Sequence, residues 1–279
     1  TMKHVVIGIY GDNGHQLSES VISQAGGVLV GVSGLEHTSF EDSVRVYESL
    51  DTMLLDSDIE LVSVCSPRRS RQAEDIKKIL MSGKHVYAEK PCVMREADLD
   101  EILKLAGEQK VIFCEMAGCM YERPYNKVRE LVQQGLLGEI VQVFVQKSYP
   151  YADFRPQDET VDGGLILQNG IYGARFVEHI AGIKIRRVTN ALETSLGNPL
   201  PGGLRMAASM QMELENGGIA SVIANYLNPI SAKIWGNEEL RIFGSRGYLK
   251  TNIADASVDV FTEKEHMHFE SLQIGRAHV

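Results

Sequence analysis

The segment that decides the fold reads Gly83-Lys84-His85-Val86-Tyr87-Ala88-Glu89-Lys90-Pro91. Residues 85–89 are predicted to form a buried strand, and Pro91 ends it because proline has no backbone donor for the sheet. Open α/β sheets bind ligands at the carboxyl ends of their strands. A lone lysine is more often a solvated surface group. Here the strand end and the rigid turn favour a functional position for Lys90.

Around this segment, short β-branched runs alternate with helix-like segments over the first 115 residues. This alternation is typical of parallel strands joined by crossover helices. The helical segments carry apolar residues at three- and four-residue spacings. The predicted strands are residues 4–10, 28–33, 61–66, 85–89 and 111–115, and the predicted helices are residues 69–82 and 95–107. We expect residues 1–117 to form a doubly wound parallel sheet.

The pattern changes after Glu115, where a predicted helix at residues 124–134 leads into long segments of alternating polarity. Such alternation is typical of an antiparallel sheet with one buried face. Glu215-Asn216-Gly217-Gly218 is predicted to be a hairpin turn, because Asn and Gly adopt positive φ readily. The predicted strands are residues 139–149, 184–193, 205–215, 219–226, 239–243 and 257–262, with a further helix at residues 164–179. We expect residues 118–272 to form an α+β domain with a large, mainly antiparallel sheet.

Composition narrows the choice of partners. The 279 residues include 28 basic and 37 acidic side chains, a net charge of −9, which disfavours nucleic acid and anionic lipid as partners. The longest apolar runs are strand-sized, well short of the roughly 20 residues of a membrane-spanning helix. The four cysteines form no Cys-x-x-Cys pair and are predicted to be reduced and structural. We expect a cytoplasmic protein.

The end of the sequence has a separate interpretation. Ile274-Gly275-Arg276-Ala277-His278-Val279 resembles the translation of a common sequencing adapter. We therefore expect residues 273–279 to be non-native and the second domain to be incomplete.

The first strand leads into Gly11-Asp12-Asn13-Gly14-His15-Gln16, at the place where a dinucleotide-binding fold holds a pyrophosphate. The match to G-x-G-x-x-G is imperfect, since Asn13 and Gln16 stand where the second and third glycines belong. Gly11, Asp12, Asn13 and Gly14 are candidate cofactor ligands, and a plain strand-to-helix turn is the alternative. Ser33 stands near the position of the acid that binds an NAD ribose. The choice between NAD and NADP stays open.

Ala88-Glu89-Lys90-Pro91 resembles the Glu-Lys-Pro signature of the glucose–fructose oxidoreductase and inositol dehydrogenase family, Gfo/Idh/MocA. Cys65-Ser66-Pro67 is similar to the family strand end beside the nicotinamide ribose, and the resemblance covers most of residues 3–227. It implies a Rossmann-like first domain that binds NAD or NADP. The cofactor-binding residues that it implies are Ser33, Cys65, Ser66, Pro67, Glu89 and Lys90.

A second family motif resembles Gly163-Gly164-Leu165-Ile166-Leu167-Gln168-Asn169-Gly170-Ile171-Tyr172. Tyr172 matches the Gly-Ile-Tyr branch, in which a tyrosine hydroxyl replaces a catalytic histidine. Gln168 departs from the family aspartate, and an amide can orient groups but cannot titrate. Gln168 and Asn169 are candidate substrate ligands, as is Arg123, although Tyr121 competes for its position. Packing of Tyr172 on its helix is the simpler alternative.

The resemblance implies hydride exchange between a nicotinamide and a sugar, polyol or related alcohol carbon. Tyr has a reference pKa of about 10 and Lys of about 10.4, so each needs help to act as a base. In a partly desolvated cleft, cationic Lys90 would favour the tyrosinate of Tyr172, which could accept the substrate proton. Catalysis is therefore predicted to rest on Lys90 and Tyr172. A non-catalytic dinucleotide- or sugar-binding sensor is the rival function.

Two predictions concern partners other than substrate. The eight histidines form no His-Glu-x-x-His motif, and His266-x-His268 falls on a predicted exposed strand, so no metal is predicted. A broad one-sided sheet leaves apolar surface to cover, so a homo-oligomer is expected.

Overall fold

The computed structural model describes residues 4–11, 19–35, 40, 42–116, 118, 123–252 and 256–270 of the chain. Its backbone contacts divide the chain into two compact units. The first unit contains the described residues up to Met116 together with Thr160–Gly163. The second contains the described residues of Ala117–Glu159 and those from Gly164 onward.

The first unit is built on a six-stranded parallel sheet, which confirms the predicted fold class. Its strands run in the order β3-β2-β1-β4-β5-β6. Strand order reverses beside β1, as in a doubly wound sheet, so the carboxyl ends of β1, β2, β4 and β5 meet along one edge. The strands are β1 (Val5–Gly11), β2 (Gly27–Ser33), β3 (Arg45–Val46), β4 (Leu61–Cys65), β5 (His85–Ala88) and β6 (Phe113–Glu115).

The helices of the first unit are α1 (Glu19–Gln24), α2 (Leu50–Leu54), α3 (Gln72–Met81) and α4 (Glu96–Gln109). A 3₁₀ turn, Arg69–Arg71, precedes α3, so the predicted start at residue 69 included this turn. The apolar stripe predicted on α3 is buried throughout, whereas Leu103 of the α4 stripe is 53% exposed. Helix α4 also continues past Gly107, its predicted end, to a C-cap at Lys110 in the left-handed region. Gly107 does not adopt a positive φ and no proline follows it, so nothing ends the helix there.

The second unit contains an eight-stranded sheet in the order β14-β13-β12-β11-β7-β10-β9-β8. Every pair is antiparallel except β7 and β10, so the predicted mainly antiparallel sheet is confirmed. The predicted turn at residues 215–218 joins β9 to β10, with Gly217 at φ +87°. The strands are β7 (Ile140–Ser148), β8 (Ile185–Thr194), β9 (Ala207–Leu214), β10 (Ile219–Asn225), β11 (Asn237–Gly244), β12 (Gly247–Asn252), β13 (Ser257–Thr262) and β14 (His266–Phe269).

Two helices, α5 (Arg123–Gln133) and α7 (Gly164–Arg175), cover one face of this sheet. Helix α7 continues as a π-helical turn, Phe176–Ile180, and the short helix α6 (Glu159–Asp162) crosses the division between the units. The buried core combines residues of α5 and the π turn with the inward residues of the strands. We call the opposite side of the sheet the outer face; it carries Phe243, Tyr248, Lys250, Asp259, Phe261, His266 and His268.

Among the described residues, no helix combines the length and apolar composition needed to cross a membrane. Cys65 and Cys92 are free and buried, as expected of structural thiols. Cys114 is free but exposed, because its side chain alternates outward on the edge strand β6. Cys119 lies outside the described residues.

Candidate functional site

The carboxyl end of β1 approaches the backbone of β4 so closely that only glycine fits there. Gly11 has φ +77°, and a Cβ on it would lie 1.7 Å from the carbonyl oxygen of Cys65. Gly34, which follows β2 at φ +74°, would bring a Cβ to 3.5 Å from Gly11. Gly11 and Gly34 therefore leave the ends of β1 and β2 without side chains, as close approach of a phosphate group to the backbone requires.

Three of the four predicted glycine-loop ligands, Asp12, Asn13 and Gly14, lie outside the described residues. Ser33 lies inside them, at the end of β2, and only 1% of its surface is exposed. It pairs in register with Tyr10 of β1. Ser33 therefore stands at the sheet edge where the sequence placed it, but as a buried hydroxyl.

The side chain of Gln72 joins the ends of β4 and β5. Gln72 is completely buried, and its Oε1 accepts the backbone N–H of Ser66 at 3.0 Å. Its Nε2 lies 2.7 Å from the carbonyl oxygen of Glu89 and 3.1 Å from that of Pro91, and donates to both. One neutral amide thus holds the turn that contains Lys90. Sequence reasoning missed Gln72, although a polar residue on the apolar side of a predicted helix was the available signal.

Carboxylates hold the backbone on both sides of Pro91. Glu89 is buried, and its Oε1 accepts the backbone N–H of Lys90 at 2.9 Å. The Oε1 of Glu115, on β6, accepts the backbone N–H of Cys92 at 2.9 Å. The Lys90–Pro91 peptide bond is cis. These contacts give Glu89 a role in shaping the turn, and Lys90 itself is partly buried.

The residues after β4 are also tied to helix α3. The hydroxyl of Ser66 donates to Asp75 Oδ2 at 2.6 Å, and Arg69 reaches Cys65 Sγ at 3.3 Å. Burial and the nearby Glu115 carboxylate raise the pKa of the Cys92 thiol far above its usual range. Cys92 is therefore an inert thiol beside the turn, and Cys65, Ser66 and Pro67 form the second predicted cofactor segment along this edge.

In the second unit, helix α7 lies very close to the sheet because it carries glycines at the contact. A Cβ on Gly173 would lie 2.6 Å from Val222, and one on Gly170 would lie 2.9 Å from Met210 Cε. Tyr172 stands between these glycines, is partly buried and packs against the core cluster. The close approach of α7 therefore brings the Tyr172 ring down onto the residues of the sheet.

A buried charge lies against the Tyr172 ring. The Lys147 Nζ atom, on β7, is 4.1 Å from the ring centroid of Tyr172 and 4.8 Å from that of Tyr149. Lys147 forms an ion pair with Glu238 of β11, and both side chains are about nine-tenths buried or more. The Tyr125 hydroxyl donates to Glu238 Oε2 at 2.5 Å. We call these four residues, Tyr125, Lys147, Tyr172 and Glu238, the charged cluster.

Sequence reasoning also missed Lys147 and Glu238. Each occupies an inward position of its strand, in phase with a buried apolar residue, Val145 or Leu240, so a charged residue in the apolar phase of the alternation was the signal. A buried ion pair costs desolvation energy that its attraction repays only with good geometry and further hydrogen bonds. Its position beside Tyr172 is therefore better explained by chemistry than by stability.

The predicted substrate ligands differ in burial and in how much of each the structure describes. Gln168 is partly buried on α7. Asn169 is 1% exposed, and its Nδ2 has no hydrogen-bond partner among the described residues. An unpartnered buried amide is costly, so it calls for an explanation such as a ligand. Arg123 begins α5, but the structure describes only its backbone, and Tyr121 lies outside the described residues.

Comparison with known proteins gives consistent matches over both units. Residues 2–116 match the family model of the oxidoreductase family with an NAD-binding Rossmann fold, and residues 125–250 match the Gfo/Idh/MocA C-terminal domain. A relative from Streptomyces violaceoruber, dTDP-3,4-didehydro-2,6-dideoxy-alpha-D-glucose 3-reductase, is 30% identical over 141 residues. That stretch covers 50% of this chain and 41% of the reductase, less than half of the relative's length.

Solved structures share the fold over nearly the whole chain. An oxidoreductase from Thermotoga maritima superposes with a TM-score of 0.82 at 24% identity, covering 97% of this chain and 86% of that one. A 3-ketoreductase from Actinomadura kijaniata, in complex with NADP and TDP-benzene, gives a TM-score of 0.80 at 17% identity. The match covers 96% of this chain and 84% of the ketoreductase.

Proposed function

The chain belongs to the Gfo/Idh/MocA family of oxidoreductases, and on that premise we propose that it is an NAD(P)-dependent oxidoreductase acting on a sugar, polyol or related alcohol or carbonyl compound. The observation that carries the proposal is the Lys147 ammonium held 4.1 Å from the centre of the Tyr172 ring. A buried cation there stabilises the negative charge that develops when a phenol loses its proton.

The first domain, residues 1–117, is the proposed cofactor domain. Gly11 and Gly34 leave the ends of β1 and β2 without side chains, which suits a pyrophosphate, so the residues present fit a dinucleotide. We assign its binding to Gly11, Asp12, Asn13, Gly14, Ser33, Cys65, Ser66, Pro67, Glu89 and Lys90. When bound, the nicotinamide ring supplies or accepts the hydride. The second domain, residues 118–272, is assigned to substrate binding and assembly.

Proton transfer is assigned to Tyr172. In the reducing direction its hydroxyl donates a proton to the carbonyl oxygen of the substrate, and in the oxidising direction the tyrosinate accepts the hydroxyl proton. Lys147 is a positioning residue in this scheme, because its charge lowers the free energy of the tyrosinate. Lys90 keeps its proposed catalytic role on the strength of its motif, and Gln168, Asn169 and Arg123 are assigned to orient the substrate by hydrogen bonds.

The reductase relative is named for a nucleotide-linked keto sugar. Nucleotide-linked keto sugars are therefore the first substrates to test, followed by free sugars and polyols. Fluorescence titration with NADH and NADPH measures cofactor binding and preference, and a turnover screen measures catalysis. Cofactor binding without turnover on any substrate would favour the sensor, and failure of both would refute the proposal.

The catalytic residues are tested by Lys90→Met and Tyr172→Phe. Tyr172→Phe is expected to lower kcat by at least ~100-fold, the usual minimum for losing a proton-transfer group, and Lys90→Met is expected to lower kcat as well because it removes a cation. Tyr248→Phe is the matched control, because Tyr248 lies on the outer face and stacks between Phe243 and Phe261. Unchanged turnover in both variants would remove these roles.

We also propose a cytoplasmic location and a homo-oligomer. The three described cysteines are free thiols, which supports a reducing compartment. The sheet of the second unit exposes Val188, Leu192 and Ile219, which supports a covered surface. Light scattering coupled to size exclusion tests the assembly, and a strictly monomeric mass at micromolar concentration would contradict it.

A further inference from the structure

The outer face of the second sheet brings two histidines and an aspartate together. His266 and His268 alternate along β14 and share this face, and Asp259 on β13 pairs in register with His268. The Oδ1 atom of Asp259 lies 2.8 Å from His266 Nε2 and 2.7 Å from His268 Nδ1. All three potential ligand atoms lie within 4.8 Å of one another.

We propose that Asp259, His266 and His268 bind a divalent first-row transition metal ion, with Zn²⁺ as the reference ion. Two imidazole nitrogens and a carboxylate oxygen are ligands that Zn²⁺ takes in open three-ligand sites. Bonds of about 2.0–2.1 Å in a tetrahedron place ligand atoms roughly 3.4 Å apart. Each nitrogen therefore needs to move about 0.6–0.7 Å away from the carboxylate oxygen, and the ligand atoms, now within 4.8 Å of one another, need to close to that spacing.

Neighbouring residues hold both histidine rings in place. The His266 ring stacks on Phe261 with centroids 4.3 Å apart and an angle of 6° between the planes. Phe261 in turn stacks on Tyr248 at 4.8 Å. His268 Nε2, the nitrogen turned away from Asp259, lies 3.7 Å from Glu270 Oε1. Metal-ligating histidines commonly hydrogen-bond their second nitrogen to a carboxylate, and closing the 3.7 Å gap to Glu270 would supply that partner here.

The charges around the cluster have opposing effects. Burial disfavours ionisation of Asp259, but hydrogen bonds from His266 and His268 outweigh it and hold the pKa of Asp259 below its ordinary value. Lys250 Nζ on β12 lies 3.8 Å from Asp259 Oδ2 and competes with a metal ion for it. Removing the Lys250 charge should therefore strengthen binding.

The test is binding of Zn²⁺ to the metal-stripped full chain, measured by equilibrium dialysis and isothermal titration calorimetry. We expect one equivalent per chain, with little binding of Mg²⁺, which prefers oxygen ligands. Asp259→Asn and His268→Ala should each weaken Zn²⁺ binding at least ~10-fold. Lys250→Met should tighten it. His4→Gln, in the first unit, is the control and should leave it unchanged.

Spectra of the Co²⁺ form identify the ligands. Nitrogen and oxygen ligation gives visible d–d bands without the thiolate charge-transfer band that binding at a cysteine would add. Loss of the d–d bands in His268→Ala, with a far-ultraviolet circular dichroism spectrum like that of the wild type, supports the site. A purely hydrogen-bonded cluster predicts equal Zn²⁺ affinity in the wild type and the three variants, and that result would overturn the proposal.

Discussion

The edge of the first sheet and the charged cluster of the second unit position their functional groups in different ways. At the sheet edge, the neutral amide of Gln72 and close-packed glycines hold the backbone around Lys90 and Gly11. In the charged cluster, the buried ion pair of Lys147 and Glu238 holds the ring of Tyr172. The first arrangement depends on shape and the second on charge neutrality, so different substitutions should disrupt them.

The largest loss of stability is expected from removing one charge of the buried pair. Lys147→Met removes the cation that pairs with the buried Glu238 carboxylate and leaves the Tyr125 hydroxyl donating to it. An uncompensated buried charge of this kind costs about 3–5 kcal/mol in the free energy of unfolding. Urea unfolding at pH 7 measures the loss.

The double variant Lys147→Met/Glu238→Gln separates stability from catalysis. It removes both charges and keeps an acceptor for Tyr125, so most of the lost unfolding free energy should return, because paired removal is often nearly neutral. Turnover should not return with it, since Tyr172 still lacks its cation. Additive effects of the two substitutions on stability would contradict the paired-charge interpretation.

At the sheet edge, shape should dominate instead. Gly11→Ala places a Cβ 1.7 Å from the Cys65 carbonyl oxygen, so the strand ends must separate. Gly26→Ala is a matched control, because Gly26 has the same φ of +77° but no atom within 4 Å of its virtual Cβ. Positive φ alone costs alanine about 1–2 kcal/mol, and the clash should add about 1–3 kcal/mol at Gly11 only.

Titration with NADH tests whether the close approach at Gly11 also matters for cofactor binding. Gly11→Ala should weaken NADH binding strongly and Gly26→Ala should not, even where both unfold at lower urea concentration than the wild type. Equal affinity in the two variants would show that the close approach at Gly11 has no part in cofactor binding.

A smaller effect is expected at Gln72. Gln72→Leu has a similar volume but removes the hydrogen bonds of the Gln72 side chain to the N–H of Ser66 and to the carbonyl groups of Glu89 and Pro91. The expected loss in the free energy of unfolding is about 1–3 kcal/mol. Gln72→Glu keeps the acceptor for Ser66 but loses the donor and places a buried carboxylate against the carbonyl oxygens of Glu89 and Pro91. Thermal unfolding should therefore rank the wild type above Gln72→Glu, and cofactor affinity should fall in both. A Gln72→Leu variant as stable as the wild type would refute the joining role of Gln72.

Much of the fold could be predicted because periodicity reports which face of an element is buried. The turn at Asn216 and Gly217 and the helix containing Ile76 and Ile79 follow from local preference alone. The two-residue strand β3 could not be predicted, since Arg45 and Val46 are both exposed and show no alternation. The parallel pairing of β7 with β10 was also out of reach, because it joins strands distant in sequence.

Residues of the proposed site that stand in motifs could be predicted from the sequence, whereas residues that depend on tertiary neighbours could not. Lys90 and Tyr172 stand in recognisable motifs, and their roles stay proposals. Lys147, Glu238 and Gln72 belong to no motif, and only the folded chain shows that each is buried beside a functional residue. Asp259 likewise joins His266 and His268 only through strand pairing, so the spacing of the histidines alone could not suggest a third ligand.

The smallest effect is expected where helix α7 meets the sheet, and it tests whether shape also matters in the second unit. Gly173→Ala places a Cβ 2.6 Å from Val222, so α7 must shift. The gain in helix propensity, about 0.5–1 kcal/mol, offsets part of an overpacking cost of about 1–3 kcal/mol, which leaves a net loss near 1 kcal/mol.

Gly107→Ala in α4 is the control, because no atom lies within 4 Å of its virtual Cβ, and it should stabilise the protein by about 0.5–1 kcal/mol. Because Gly173 adjoins Tyr172, a shift of α7 also moves the phenol away from Lys147. The loss in kcat, expressed as an activation free energy, should therefore exceed the loss in the free energy of unfolding. Unchanged kcat in Gly173→Ala would mean that charge alone, without the close approach of α7, is enough to prepare Tyr172 for proton transfer.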